Sequence, residues 1–176
     1  IRNILEHDYK LGILRYAAPY DVYFKNTLKE KNLQYELVTE FSYQLVMSRE
    51  NPLAGLDDIS FDDLASYIEV AHADPYVPSL PLSTVVKEEL PDNISRRIYV
   101  FERASQFELL SRNPETFLWA SPIPQNLLDR YGLVQKPCAQ NTRLYRDLLI
   151  YPSDYTLTEL DCRFIDMLGR VKNKYL

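Results

Sequence analysis

LQYELVTEFSYQLVMSRENPLAGLDDISFDDLASYIEV, residues 33–70, decides how the chain is built. Its first part, 33–48, is rich in aromatic and β-branched residues and holds neither Gly nor Pro. That composition predicts a strand, a brief turn and a second strand. Asn51-Pro52 ends the extended run, because proline removes a backbone donor and steers its predecessor away from helix. Ser60 and Asp63 have the S-x-x-D spacing of a capping box, so a short helix should open there. The run after it leads into a buried strand near 67–71. Asp57-Asp58 and Asp62-Asp63 are adjacent in sequence and point in different directions. They read as turn and cap residues rather than as an acid/base couple.

Outward from this stretch the chain alternates. IRNILEHDYK (1–10) places Ile1, Ile4 and Leu5 on one helical face, LGILRYA (11–17) has strand length, and DVYFKNTLKEKN (21–32) reads as a helix with Asp21 as its N-cap. Beyond residue 70, SLPLSTVVKEEL (79–90) reads as a helix stopped by Pro91, and RRIYVF (96–101) as a strand. Ser105 with Glu108 suggests a second capping box, on a helix that stops at Asn113-Pro114. TFLWAS is a strand, and PQNLLDRY a helix closed by Gly132. TRLYRDLLIY (142–151) is the last strand. Thr156 with Glu159 forms a third box, opening a terminal helix on which Leu157, Leu160, Phe164, Ile165, Leu168 and Val171 recur at helical spacing. Strands alternating with helices argue for an α/β class with mainly parallel sheets.

Composition removes several function classes. The 176 residues suit one or two compact units, and four glycines leave no glycine-rich phosphate cradle. Fourteen tyrosines suit exposed strands or a lined cleft. A net charge of −5 with scattered Lys and Arg argues against this chain alone holding nucleic acid. Cys138 and Cys162 form no CxxC and predict neither a disulfide framework nor a zinc site, so a reducing, cytoplasmic setting is the default. No signal peptide and no long apolar run appear, and no membrane partner is expected. A nucleophile needs a base, and the two histidines, His7 and His72, lie far apart in sequence. No catalytic motif, metal cluster or cofactor cradle is present, which predicts that the chain is not an enzyme and takes no cofactor or metal. The opening, IRNILEHDYK, reads as the middle of a helix and lacks an initiator Met, which predicts a piece of a longer protein.

Three pieces in order resemble the effector-binding domain of LysR-type transcriptional regulators. They are ILEHDYKLGILRY, the stretch 33–70, and YRDLLIYPSDYTLTELDCRFIDMLGRV. The resemblance lies in the series and its spacing, not in any single motif. It implies a two-lobed, type 2 periplasmic-binding-protein-like fold joined by two crossover strands, near 43–48 and 146–151. Lobe I would hold 1–46 and 149–176, and lobe II 47–148. It also implies a small-molecule effector between the lobes, with a carboxylate or an amino acid as the expected class. Promoter DNA would be reached only through an N-terminal helix-turn-helix that this stretch lacks. The family's first strand, helix and second strand are missing as well, so lobe I is expected to be incomplete. Those elements belong to the usual dimer interface. The intact protein would be a dimer or tetramer, and the sequence leaves the oligomeric state of this piece open. Three positions depart from the family pattern: Asn51 stands where His is common, Gly12 where Asp is usual, and NPETFLWASPIP replaces a glycine-containing segment, so that Trp119 should crowd the cleft wall.

In α/β sheets ligands sit outside the carboxyl ends of the strands. Those ends nominate Tyr16, His72, Asp74, Glu102, Arg103, Ser105 and Ser121 as effector-binding residues. Arg103 could clamp a carboxylate with two parallel bonds, or be held by its neighbour Glu102 in a surface pair. Ser105 and Ser121 have competing roles at helix starts. His72 reads as a sensor or as an ordinary loop residue. Trp119 and Phe117 read as core. The leading reading is therefore a ligand-sensing module of a bacterial regulator. A solute-binding protein of a transporter, with the same fold, is the alternative.

Overall fold

The computed structural model describes residues 1–72 and 95–175. In chain order the elements are α1 (Arg2–Glu6), β1 (Gly12–Ala17), α2 (Asp21–Glu30), β2 (Leu33–Ser42), β3 (Gln44–Ser48), α3 (Phe61–Leu64), β4 (Ile68–His72), β5 (Arg97–Val100), α4 (Arg103–Arg112), β6 (Thr116–Ala120), α5 (Gln125–Tyr131), β7 (Leu133–Lys136), β8 (Leu144–Pro152) and α6 (Glu159–Tyr175). The helix expected over 79–90 lies outside the described residues. The chain forms two compact units, Ile1–Tyr43 with Thr142–Leu176, and Gln44–Asn141. It passes between them at 43/44 and 141/142, earlier than the expected 46/47 and 148/149. The whole of β8 pairs with β1 and β2, which keeps its residues in the first unit.

In the first unit the sheet order is β1-β8-β2, and β8 is antiparallel to both neighbours. β1 and β2 therefore share a direction, as a strand–helix–strand unit should, and the last strand is inserted between them. In the second unit the order is β5-β4-β6-β3-β7. β4 is parallel to β5 and β6, while β3 is antiparallel to β6 and β7. The α/β class holds. The pairing is less parallel than the alternation predicts, for one reason: each sheet contains one reversed strand beside a passage between the units.

β3 explains its own apolar run. Leu45 and Met47 join a cluster with Leu53, Ile59, Leu64, Phe117 and Cys138. Val46 joins another with Val70, Leu110, Leu118, Leu128 and Leu133. Both faces of the strand are buried, so alternation disappears. In the first unit Gly12 lets α1 approach the sheet: a Cβ there would meet Ile4 Cδ1 at 3.2 Å and Ile150 Cγ1 at 3.5 Å.

The turn after β3 follows the sequence closely. Asn51 is buried, accepts from the Leu53 amide at 2.8 Å and donates to the Thr116 carbonyl at 3.3 Å. The Ser60–Asp63 capping box is reciprocal, and Gly132 closes α5 in the left-handed region at φ 64°. Three expected caps are different. Asp21 is the first residue of α2, not its cap: Tyr20 occupies that position, with no side-chain cap bond. Ser105 lies inside α4, which opens at Arg103 after Glu102 with no side-chain cap bond. Only Phe101 and Glu102 separate β5 from this helix, so it starts before Ser105. The third box is Thr158–Asp161, two residues later than Thr156–Glu159. The Thr158 amide donates to Asp161 at 2.8 Å, and the Asp161 amide to the Thr158 hydroxyl at 3.3 Å. The Tyr155 hydroxyl also donates to Asp161, at 2.6 Å, and so selects that register. β7, a short strand paired with β3, has no counterpart in the sequence reading.

Candidate functional site

Tyr16 is the sequence candidate that belongs to the first unit, and it faces inward. It is 3% exposed, stacks on Phe24 with ring centroids 4.7 Å apart, and donates to Asp21 Oδ1 at 2.8 Å. Burial, then this bond, pushes its hydroxyl pKa well above the usual phenol value. Asp21 also binds Lys25 Nζ at 2.8 Å and Arg146 Nη1 at 2.8 Å. Arg146 reaches on to Glu40 at 2.6 Å. Burial opposes ionisation of Asp21, but the bonds from Lys25, Arg146 and Tyr16 outweigh it and hold the carboxyl at about 2. On the neighbouring positions of the same strands, Arg15 holds Asp147 through two bonds of 2.7 Å. Tyr16 therefore belongs to an internal lattice that ties α2 to the sheet.

The remaining described candidates gather on one edge of the second sheet. β4 lies between β5 and β6, with His72 in register with Val100, so three parallel strands end side by side. His72 closes β4. Glu102 is exposed at the N-cap position of α4, Arg103 is its first residue, and Ser105 is exposed within its first turn. Ser121 follows β6 and is half-buried. Asp74 lies outside the described residues. The structure thus brings His72, Glu102, Arg103, Ser105 and Ser121 to a common sheet edge and leaves Tyr16 in the other unit.

Two residues that support this edge escape sequence reasoning. Gln135 on β7 donates to the Ser121 carbonyl at 3.0 Å and accepts from the Ile123 amide at 2.8 Å, which pins the loop after β6. Gln106, buried in α4, donates to the Val100 carbonyl at 3.4 Å and ties the helix start to the end of β5. Their roles depend on pairings distant in sequence, so no local signal announces them. Phe117 is fully buried, and half-buried Trp119 packs on the same cluster, as expected of core. The Trp119 indole N–H is shielded from solvent and has no acceptor; the rings of Phe61 and Phe117 stand edge-on to the indole ring, with centroids 6.3 and 6.4 Å away.

A surface depression of about 360 Å³ lies at the α2–β2 turn, lined by Lys25, Lys29, Asn32, Tyr35 and Ser153 among others, and none of the candidates lines it. Among the described residues no group of three or more His, Cys, Asp or Glu could hold a metal ion, and no helix is long and apolar enough to cross a membrane.

No protein-family model matches the sequence, and a search of curated proteins finds no match. Solved structures do match. The shikimate-bound effector-binding domain of QuiR is 19% identical, with a TM-score of 0.61 over 99% of this chain and 77% of that one. The regulatory domain of NMB2055 (MetR), a LysR-family regulator from N. meningitidis, is 11% identical, with a TM-score of 0.58 over 98% of this chain and 74% of that one. HinK, a LysR-family regulator from Pseudomonas aeruginosa, is 12% identical, with a TM-score of 0.62 over 99% of this chain and 56% of that one. The architecture is therefore that of the type 2 periplasmic-binding-protein-like class. Within that class, the chain has the fold of LysR-family regulatory domains.

Proposed function

We propose that this chain is the ligand-sensing, effector-binding domain of a bacterial LysR-type transcriptional regulator. A small-molecule inducer, a carboxylate or an amino acid, lodges between the two units. The observation that carries this reading is the likeness in fold to LysR regulatory domains over nearly the whole chain, one of them bound to shikimate. The gathering of His72, Glu102, Arg103, Ser105 and Ser121 at the ends of parallel strands supports it, because that is where α/β sheets take ligands. The start of α4 offers free backbone N–H groups to an anion, with Arg103 as the clamp. Asp74 and Tyr16 complete the proposed set, Tyr16 by positioning rather than by contact.

In this reading the protein works in the cytoplasm, catalyses nothing, and meets promoter DNA through a separate helix-turn-helix. The intact regulator is a dimer or tetramer. A ligand that favours one arrangement of the units shifts the population toward it. The test is a thermal-shift screen of small carboxylates and amino acids, shikimate included, on the complete effector domain. It is repeated with Arg103→Ala and Ser105→Ala. A hit whose stabilisation survives both substitutions refutes the placement. The absence of any hit across the screen counts against the ligand class.

A further inference from the structure

The depression at the α2–β2 turn is lined by none of the effector candidates, and it is built within the first unit alone. α2 ends at Glu30, and Asn32 turns the chain in the left-handed region at φ 55°, which asparagine tolerates. The Asn32 carbonyl accepts from the Ser153 amide at 3.0 Å, so the segment leaving β8 is drawn against the end of α2. Buried Leu33 and exposed Tyr35 line the hollow between them. Its volume, about 360 Å³, lies at the lower end of small-molecule sites.

The lining is polar and carries one sign of charge. Lys25 and Lys29 lie one helical turn apart on α2, and no carboxylate lines the hollow, although the chain holds 25 acidic residues against 20 basic ones. Lys25 is fixed: its Nζ binds Asp21 at 2.8 Å and lies 5.9 Å from the Tyr35 ring centre. Lys29 is exposed and has no acidic partner among the described residues. The side chains of Asn26, Asn32, Gln34 and Ser153 make no hydrogen bond to another described residue. Carbonyls at a helix end oppose an anion. Those of Thr27 and Lys29 are already taken, by the Lys31 and Asn32 amides at 3.0 and 3.1 Å, so the free ammonium and amides decide the sign.

We propose that this hollow binds a small phosphorylated polyol, with Lys29 holding the phosphate. The ammonium, the side-chain amides and the Ser153 hydroxyl together offer more donors than one carboxylate accepts. A phosphate monoester carries more free oxygens and about twice the charge. The polyol hydroxyls donate and accept, which matches the side-chain amides of Asn26 and Gln34, and the Tyr35 ring supplies an apolar wall. Phosphate alone leaves most of the hollow unfilled. The site stands apart from the sensing role proposed above and does not rest on it.

The experiment is a calorimetric titration of the chain with glycerol phosphate and glucose phosphate, beside glucose alone and inorganic phosphate alone. At least one of the phosphorylated polyols should bind saturably, and more tightly than either control. Lys29→Gln should weaken it by about tenfold, the worth of one charged hydrogen bond, and Ser153→Ala by about threefold. Lys31→Gln removes a neighbouring exposed lysine that does not line the hollow, and should change binding by less than about twofold. In amide NMR spectra the shifted signals should centre on Asn32 and Ser153. The proposal is overturned if neither phosphorylated polyol binds, or if inorganic phosphate or glucose binds as tightly. Equal losses in Lys31→Gln and Lys29→Gln overturn it by reducing the effect to diffuse charge. Shifts centred on the His72 edge overturn it by placing the ligand in the sensing site instead.

Discussion

α4 and α6 look like opposites of what their sequences suggest. α6 has the more regular apolar periodicity and is the longer helix, with 17 residues against 10. Yet none of its described residues is buried, and Leu160, Phe164, Met167 and Val171 form a stripe that is 75%, 46%, 56% and 45% exposed. α4 is less regular, but it buries Gln106 and drives Leu110 to 0% exposure against the five-stranded sheet. Periodicity reports which side of a helix is able to be buried. Whether it is buried depends on the surface laid against it, and that comes from elsewhere in the chain.

The contrast breaks most sharply at Leu110. Leu110→Ala should destabilise the chain by about 2–5 kcal/mol, because it opens a cavity in a closed core. Urea unfolding monitored by far-UV circular dichroism reads this; a loss as small as that of a surface substitution would show that α4 is not held by packing. Asn51→Ala comes next. It leaves the Leu53 amide without its acceptor in a buried turn, at a cost of about 1–3 kcal/mol in the same assay.

The first unit should respond to acid. Asp21 is held at about 2 in the folded chain against an ordinary 3.8, so its contribution is present above that ordinary value and is lost as pH falls toward 2. Asp21→Asn should flatten this acid limb in a pH series of melting temperatures. The effect is smaller than the full shift implies, because solvent screens part of the network. Thr158→Ala should weaken the start of α6 by about 1 kcal/mol. Amide exchange should quicken in the first turn of α6 and stay unchanged in α4, which has no such cap. The smallest effect belongs to Phe164→Ala, within about 0.5 kcal/mol, since the ring is half in solvent already. A loss comparable to that of Leu110→Ala would mean that the α6 stripe is covered in solution.

The legible parts of the sequence were those whose cause is local. Asn51-Pro52, the Ser60–Asp63 box and the Gly132 stop all act within a few residues, and each appears where the sequence places it. Helix starts were less legible. Thr156–Glu159 and Thr158–Asp161 are equally good frames until Tyr155 chooses between them. Asp21 looks like a cap, but Tyr20 holds that position and the Asp21 carboxylate pairs with Arg146, distant in sequence. β7 escaped because a four-residue strand owes its existence to β3 rather than to its own residues. The candidate site divides in the same way. The strand ends that carry His72, Glu102 and Ser121 follow from alternation alone. The inward turn of Tyr16 and the support from Gln135 follow from pairings that only the folded chain displays.

The inserted strand has a consequence for the order in which the chain is made. The second unit is continuous, Gln44–Asn141, and leaves the ribosome as one piece. The first unit is split, and its middle strand is synthesised only after the whole of the second unit. β1 and β2 emerge before it and must wait, unpaired on the sides they will later share, until the second unit has followed. A nascent chain that stalls after residue 141 holds one unit able to close its sheet and two orphaned strands, the kind of exposed edge that chaperones hold and proteases find.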